Sequence, residues 1–177
     1  MNKCIKVVIA AGGSGGHLFP AQQLAQELVQ KGNCQVLFAG YKLDQSPFFD
    51  REKTPFAPIL AAPLMARSFP MAFLRGFVQS VRCIRQFNPS AIVGFGSYHV
   101  FPVLSAAACL RKKLILFEAN CALGKVNRFF RPFAQAVAWQ FPQETKKTVA
   151  VPLLPWRLTP SSWESTSLAK KAYGLQP

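Results

Sequence analysis

The residues best suited to chemistry are four glycines broken by a serine and closed by a histidine, Gly12-Gly13-Ser14-Gly15-Gly16-His17. Glycines let the main chain come close to a ligand, and backbone amides gathered at a helix start favour a phosphate or pyrophosphate. His17 adds an imidazole that can take up a proton near neutral pH. The run lacks the Lys and Ser/Thr of a P-loop and does not have G-x-G-x-x-G spacing. A tight strand-to-helix turn without a ligand is the plain alternative.

Two further turns repeat the arrangement. Gly94-Phe95-Gly96-Ser97-Tyr98 follows the apolar run Ala91 to Val93, and Glu118-Ala119-Asn120 follows Leu114 to Phe117, with Gly124 and Asn127 just beyond. On its own the second turn is as well explained by structure as by function. Glu118 is the only acid between Glu52 and Glu144. A carboxylate at a strand end can bind sugar hydroxyls or orient a histidine. It can equally serve as a helix N-terminal charge or a partner for Arg128.

These turns must be held by a frame, and the sequence predicts one. Short β-rich runs alternate with helical patterns, as expected of a parallel sheet covered on both faces. The predicted strands are Lys6 to Ala10, Gln35 to Ala39, Ala57 to Leu60, Ala91 to Val93, Leu114 to Phe117 and Ala136 to Trp139. Ala21, Leu24, Ala25, Leu28 and Val29 recur at helical spacing, with Pro20 fitting a first turn. Further helices are predicted from Met71 to Phe87 and from Val100 to Leu110. In open sheets of this kind ligands bind outside the carboxyl ends of the strands, so the three turns can face one crevice. Past Pro142 the pattern thins to Lys146, Lys147, Pro152, Pro155, Pro160 and a serine-rich stretch, which reads as a linker, with Leu168 to Tyr173 able to start a helix.

The 177 residues are half apolar, enough for a core, and intrinsic disorder is excluded as the main state. Lys and Arg number 21 against 7 Asp and Glu, a net charge of +14. No carboxylate stands between Lys53 and Phe117, a span holding eight cations. One face is therefore expected to meet phosphate or anionic lipid. The five cysteines are scattered without a Cys-x-x-Cys pair, which suggests neither a disulfide framework nor zinc and fits a reducing cytosol. The amino terminus reads as a buried strand rather than a signal peptide. The uncharged stretch from Gln86 to Leu110 reads as strand, turn and helix rather than a membrane span.

Taken together, Gly12 to Pro20, Gly94 to Tyr98, Glu118-Ala119-Asn120 and Gly124 with Asn127 resemble glycosyltransferase family 28, over almost the entire chain. The resemblance implies an α/β GT-B fold of two Rossmann-like domains, with this chain as the amino-terminal, acceptor-binding half. It implies transfer of N-acetylglucosamine from UDP-N-acetylglucosamine to lipid I, undecaprenyl-pyrophosphoryl-N-acetylmuramyl-pentapeptide, in peptidoglycan synthesis. The reaction would be inverting and independent of metal or other cofactor, on the cytoplasmic face of the bacterial membrane, to which the protein would be peripherally bound. By family position His17 is the candidate base, or a residue that orients substrate, and Glu118 a second catalytic candidate. Gly12, Gly13, Ser14, Gly15 and Gly16, with Gly94, Gly96, Ser97 and Tyr98, would hold the acceptor pyrophosphate. Asn120, Asn127 and Arg157 complete the substrate-binding set. Residues 1–157 would form the domain and 158–177 a linker toward a donor-binding half. That half would belong to a longer protein or to a separate chain, as in the eukaryotic two-subunit transferase that makes dolichol-linked chitobiose.

The sequence departs from the family at two places. Phe117-Glu118-Ala119-Asn120 stands where His-Glu-Gln-Asn is usual, and Leu154-Pro155-Trp156-Arg157 where Asn-Pro-x-Arg is usual. The first loses a polar pair and the second bears on contacts between domains.

On a helical wheel Phe73, Leu74, Phe77, Val78, Val81 and Ile84 fill an arc of roughly 140°. Its inner part is expected to pack on the sheet. Phe69, Met71, Phe73 and Phe77 are expected to reach an anionic membrane surface with Arg67 and Arg75 on lipid phosphates. An ordinary core helix is the alternative. Two other functions compete. A basic nucleic-acid module would use Phe129, Phe130 and Arg131 but leaves Gly12 to His17 unexplained, so no nucleic-acid partner is expected. A dinucleotide enzyme lacks an acid closing the second strand, where Ala39 and Gly40 stand.

Overall fold

The computed structural model describes residues 4–63, 65–141 and the backbone of 148–150. Seven strands form one parallel sheet in the order β3-β2-β1-β4-β5-β6-β7. They are β1 (Ile5–Ala10), β2 (Cys34–Gly40), β3 (Phe56–Pro58), β4 (Ala91–Gly94), β5 (Leu114–Glu118), β6 (Ala136–Trp139) and β7 (Thr148–Ala150). The helices are α1 (Gly15–Gln30), α2 (Phe69–Phe87), α3 (Phe101–Cys109) and α4 (Lys125–Phe130). The strand order reverses between β1 and β4, where β1 pairs with β2 on one side and β4 on the other. That is the point at which such sheets open a crevice at their carboxyl ends.

Alternation along β1 explains its central place. Val7 and Ile9 pack on one face with Leu18, Ala21 and Ala25 of α1, and Val8 and Ala10 on the other with Ile84 of α2 and Leu104 of α3. Successive side chains of a strand point to opposite faces, so a strand buried on both must be apolar throughout. Strand β7, which the sequence reading placed in a linker, extends the sheet beside β6 in the register Val137–Thr148 to Trp139–Ala150. Arg157 and the predicted linker of residues 158–177 lie outside the described residues.

Of the boundaries that differ from expectation, three stand out. Helix α1 begins at Gly15 with Ser14 as N-cap, so Pro20 lies inside it rather than in its first turn. Ser14 is extended and the chain turns helical at Gly15, so the proline falls in the second turn, where its missing N–H removes only one helical bond. Strand β3 ends at Pro58, two residues before the expected Leu60. Helix α3 is preceded by a single 3-10 turn, Tyr98–Val100, which carries the chain out of the second glycine turn.

Helix α2 rests on the sheet through Ala72, Gly76, Ser80 and Ile84. A Cβ on Gly76 would fall onto the Leu60 carbonyl oxygen, so glycine is what lets the helix approach. The large apolar residues are displaced to its flanks. Phe77 and Val81 pack on the edge of the core, while Met71 and Leu74 are each 58% exposed. Phe73 touches Phe69, Phe77 and Phe101, and Phe101 in turn meets Phe129 and Phe130 of α4. Of the expected membrane-contact residues, Met71 thus stands outermost and Phe73 and Phe77 are half-buried. No helix among the described residues is long and apolar enough to cross a membrane.

Candidate active site

All seven strands run the same way, so the loops leaving β1, β3, β4 and β5 share one rim of the sheet and enclose a cleft of about 400 Å³. The β1 side contributes His17 from the first turn of α1. The loop after β3 adds Pro63 and Met65. The second glycine turn supplies Phe95, Gly96, Ser97 and Tyr98, and the segment after β5 supplies Glu118, Asn120, Gly124, Lys125 and Asn127.

His17 is held neutral. Burial pushes its pKa below the usual 6.5, opposed by a hydrogen bond to the Phe95 carbonyl and by the Glu118 carboxylate. A neutral imidazole keeps one ring nitrogen with a lone pair, the form that accepts a proton.

Glu118, only 4% exposed, is saturated by donors. Oε1 accepts from the Asn120 N–H at 3.2 Å and its Nδ2 at 2.9 Å. Oε2 accepts from the Gly124 N–H and Asn127 Nδ2, both at 2.9 Å. A buried carboxylate requires such partners. Their effect is to fold residues 118–127 around one side chain, which makes Glu118 the organiser of this wall of the cleft. Phe117, where the family usually has histidine, packs against Phe95 with ring centroids 4.8 Å apart and the rings tilted, so an aromatic contact joins the β4 and β5 turns.

The first glycine turn is braced from the side by a residue the sequence reading did not select. His99 stacks on Tyr98 at 3.9 Å and faces Tyr41 at 5.8 Å, and its Nδ1 lies 2.7 Å from the Ser97 hydroxyl. Gly13 has φ +89, and a Cβ there would come within 2.6 Å of the His99 ring. Burial, with His17 and Lys42 nearby, lowers the His99 pKa to about 4. Ser97 is held at φ 70, ψ 153, a region that disfavours any side chain.

The cleft therefore gathers His17, Gly96, Ser97, Tyr98, Glu118, Asn120 and Asn127 from the expected set. Gly12 to Gly16 are not among the residues that line it; they form the turn and first helical residues that lead to His17, with Ser14 exposed and its carbonyl accepting from the His17 and Leu18 N–H groups. Gly94 does not take part. It ends β4 with its Cα against Leu104 and Leu116, where a Cβ would be 2.6 Å from a Leu104 methyl, so close packing rather than ligand contact explains it. Lys125, Pro63 and Met65 were missed. Lys125 lies two residues before Asn127 and Pro63 follows the third strand, so the rule that loops at carboxyl strand ends line the site could have found them. Among the described residues no three His, Cys, Asp or Glu side chains are grouped as metal ligands.

Known proteins share this architecture. The "UDP-N-acetylglucosamine--N-acetylmuramyl-(pentapeptide) pyrophosphoryl-undecaprenol N-acetylglucosamine transferase" of Protochlamydia amoebophila is 43% identical over 144 residues, 77% of this chain and 38% of the relative. The Chlamydia felis enzyme of the same name is 35% identical over 182 residues, 94% of this chain and 50% of the relative. The chain thus spans half or less of the length of these two relatives. The crystal structure of MurG from Acinetobacter baumannii superposes with a TM-score of 0.70 at 26% identity, covering 82% of this chain and 45% of that one. The Streptomyces glycosyltransferase SsfS6, at 15% identity and TM-score 0.63, shares the fold. Residues 7–139 match the glycosyltransferase family 28 N-terminal domain, and the chain belongs to that family.

Proposed function

We propose that this chain is the acceptor-binding half of an N-acetylglucosaminyltransferase that converts lipid I to lipid II. The observation that carries the reading is His17. It is a half-buried imidazole whose pKa is lowered by burial, and it lines a cleft built from several strand ends.

The chemistry follows from that placement. The muramyl 4-hydroxyl attacks C1 of N-acetylglucosamine from the face opposite UDP and gives its proton to the free nitrogen of His17. The bond from C1 to the UDP oxygen breaks and UDP leaves with the electron pair. Attack from the opposite face inverts the anomeric centre. The proton goes to a side chain and the leaving charge to the donor-binding half, so the residues of this half need no metal. The exposed Lys125, which lines the cleft, and the amino-terminal end of α1, which carries His17, supply positive potential for the acceptor pyrophosphate.

The same reading places the acceptor's lipid at an anionic membrane, on the cytoplasmic face where UDP-sugars are available. Exposed Met71 and Leu74 with Arg67 and Arg75 border the aromatic cluster of α2 and α4. Among the described residues neither arginine is ion-paired, which leaves both for lipid phosphate. The donor sugar nucleotide is held by a second half, in the same protein or as a separate chain.

The deciding experiment is transfer of labelled N-acetylglucosamine from its UDP donor to lipid I, by these 177 residues and by the same residues supplied with a donor-binding half. Turnover only in the second case supports the reading. Turnover by the 177 residues alone overturns the division into halves, and silence in both overturns the transferase.

A further inference from the structure

Asn127 is 3% exposed and lines the cleft from α4. Its Nδ2 donates to the Phe117 carbonyl and to Glu118 Oε2, each at 2.9 Å. A backbone carbonyl only accepts, so turning the amide over would set oxygen against oxygen; its orientation is fixed by its partners. The other end of the amide is then left over. Oδ1 is buried and has no hydrogen-bond partner among the described residues. Buried polar atoms are almost always paired, so this one marks a place where a donor belongs.

We propose that Asn127 Oδ1 accepts a hydrogen bond from a neutral N–H or O–H group on the sugar ring of the bound acceptor, which makes Asn127 a specificity-determining residue. This rests on the transferase reading above. A phosphate is excluded because it would bring oxygens toward an oxygen. A cation fits poorly, since the adjacent Glu118 carboxylate already accepts four hydrogen bonds. An amide N–H or a hydroxyl brings one donor and no charge.

Access is through the second glycine turn. A Cβ on Gly96 would lie 3.3 Å from Oδ1, so the oxygen is covered there by main chain without a side chain. For a donor to reach it the Gly94–Ser97 turn must shift aside, a shift that would also release Ser97 from its disfavoured conformation.

The test uses the full chain with N-acetylmuramic acid 1-diphosphate as the probe, beside its 2-O-acetyl counterpart, which lacks the amide N–H, and its 6-deoxy counterpart, which lacks a hydroxyl. The expected result is a shift of the Asn127 side-chain carbonyl carbon in the NMR spectrum on saturation with the parent probe. One of the two analogues should bind about tenfold more weakly and fail to produce the shift, which identifies the donor. In Asn127→Ser the difference between parent and that analogue should shrink to within about twofold, whatever happens to overall affinity. If that variant does not fold, the carbon shift and the analogue series on the unsubstituted chain still decide. Binding of the parent probe that moves the His17 ring signals but not the Asn127 carbon, with both analogues bound equally, overturns the inference and leaves the transferase standing. Absence of binding by the parent probe overturns both.

Discussion

The Ser97 hydroxyl sits 2.7 Å from Nδ1 of His99, two residues on, and ties a serine in a glycine-like conformation to an imidazole that braces the first glycine turn. Two effects oppose each other at Ser97. The backbone conformation costs about 1–3 kcal/mol, and the hydrogen bond returns about 0.5–1.5 kcal/mol. Strain is the larger, so Ser97→Gly should be neutral to stabilising. Ser97→Ala, which keeps the strain and loses the bond, should destabilise by about 1 kcal/mol. Urea denaturation of the two variants checks the order, and Ala at least as stable as Gly would show that the strain is absent.

His99 should make the fold acid-sensitive. Its folded pKa is about 4 against an ordinary 6.5, so between those values the unfolded chain binds the proton and the folded chain does not. Stability is full above pH 6.5 and falls as pH drops toward 4, by at most about 3 kcal/mol from this group. His17 is shifted the same way and adds to the slope. His99→Gln should flatten the pH dependence of the unfolding free energy over this window; an unchanged slope would place the proton uptake elsewhere.

His17→Ala should lower sugar transfer by ~10² to 10⁴ if the imidazole is the base. Binding of the acceptor should change little, because the cleft walls are set by other residues. A loss under tenfold would leave His17 as a residue that orients substrate.

Glu118→Gln should destabilise by about 1–3 kcal/mol, because an amide presents N–H groups to donors that the carboxylate satisfied. Hydrogen exchange at the Gly124 amide should accelerate selectively. A global loss of protection without that local effect would contradict an organising role for this side chain.

Met71→Glu with Leu74→Glu should release the chain from anionic vesicles with its circular dichroism intact, since both residues are exposed. Binding by the unsubstituted chain should weaken with salt, by about 1 kcal/mol per engaged arginine. Phe77→Glu should instead unfold the protein, because Phe77 packs on the core. Retained binding by the double variant would move the membrane contact to another face.

Much of the frame was readable from residue types. The unbroken apolar run Val7-Val8-Ile9 announced a buried strand, and the glycine runs after β1 and β4 announced the rim of the cleft. What the sequence concealed depends on distance in space. The face of α2 was misread because Gly76 and Ser80, weak on any hydrophobic scale, are what let the helix approach, while larger residues are pushed aside. Glu118 could be singled out as a lone acid, but three of its donors come from a loop whose path no local pattern fixes and the fourth from the helix beyond it. His99 belongs to no motif of its own, and only the pairing of β1 with β4 reveals that it lies against Gly13.

That pairing has a consequence for the order of assembly. Ala10 meets Gly94 in the β1–β4 register, so the two glycine turns are brought together by strands separated by about eighty residues of chain. On a ribosome, β1, α1, β2 and β3 emerge well before β4, and during that interval one edge of β1 is unpaired. The cleft therefore cannot form until β4, β5 and the turn as far as Asn127 have emerged, and until then the exposed edge of β1 is where a stalled nascent chain is most open to mispairing.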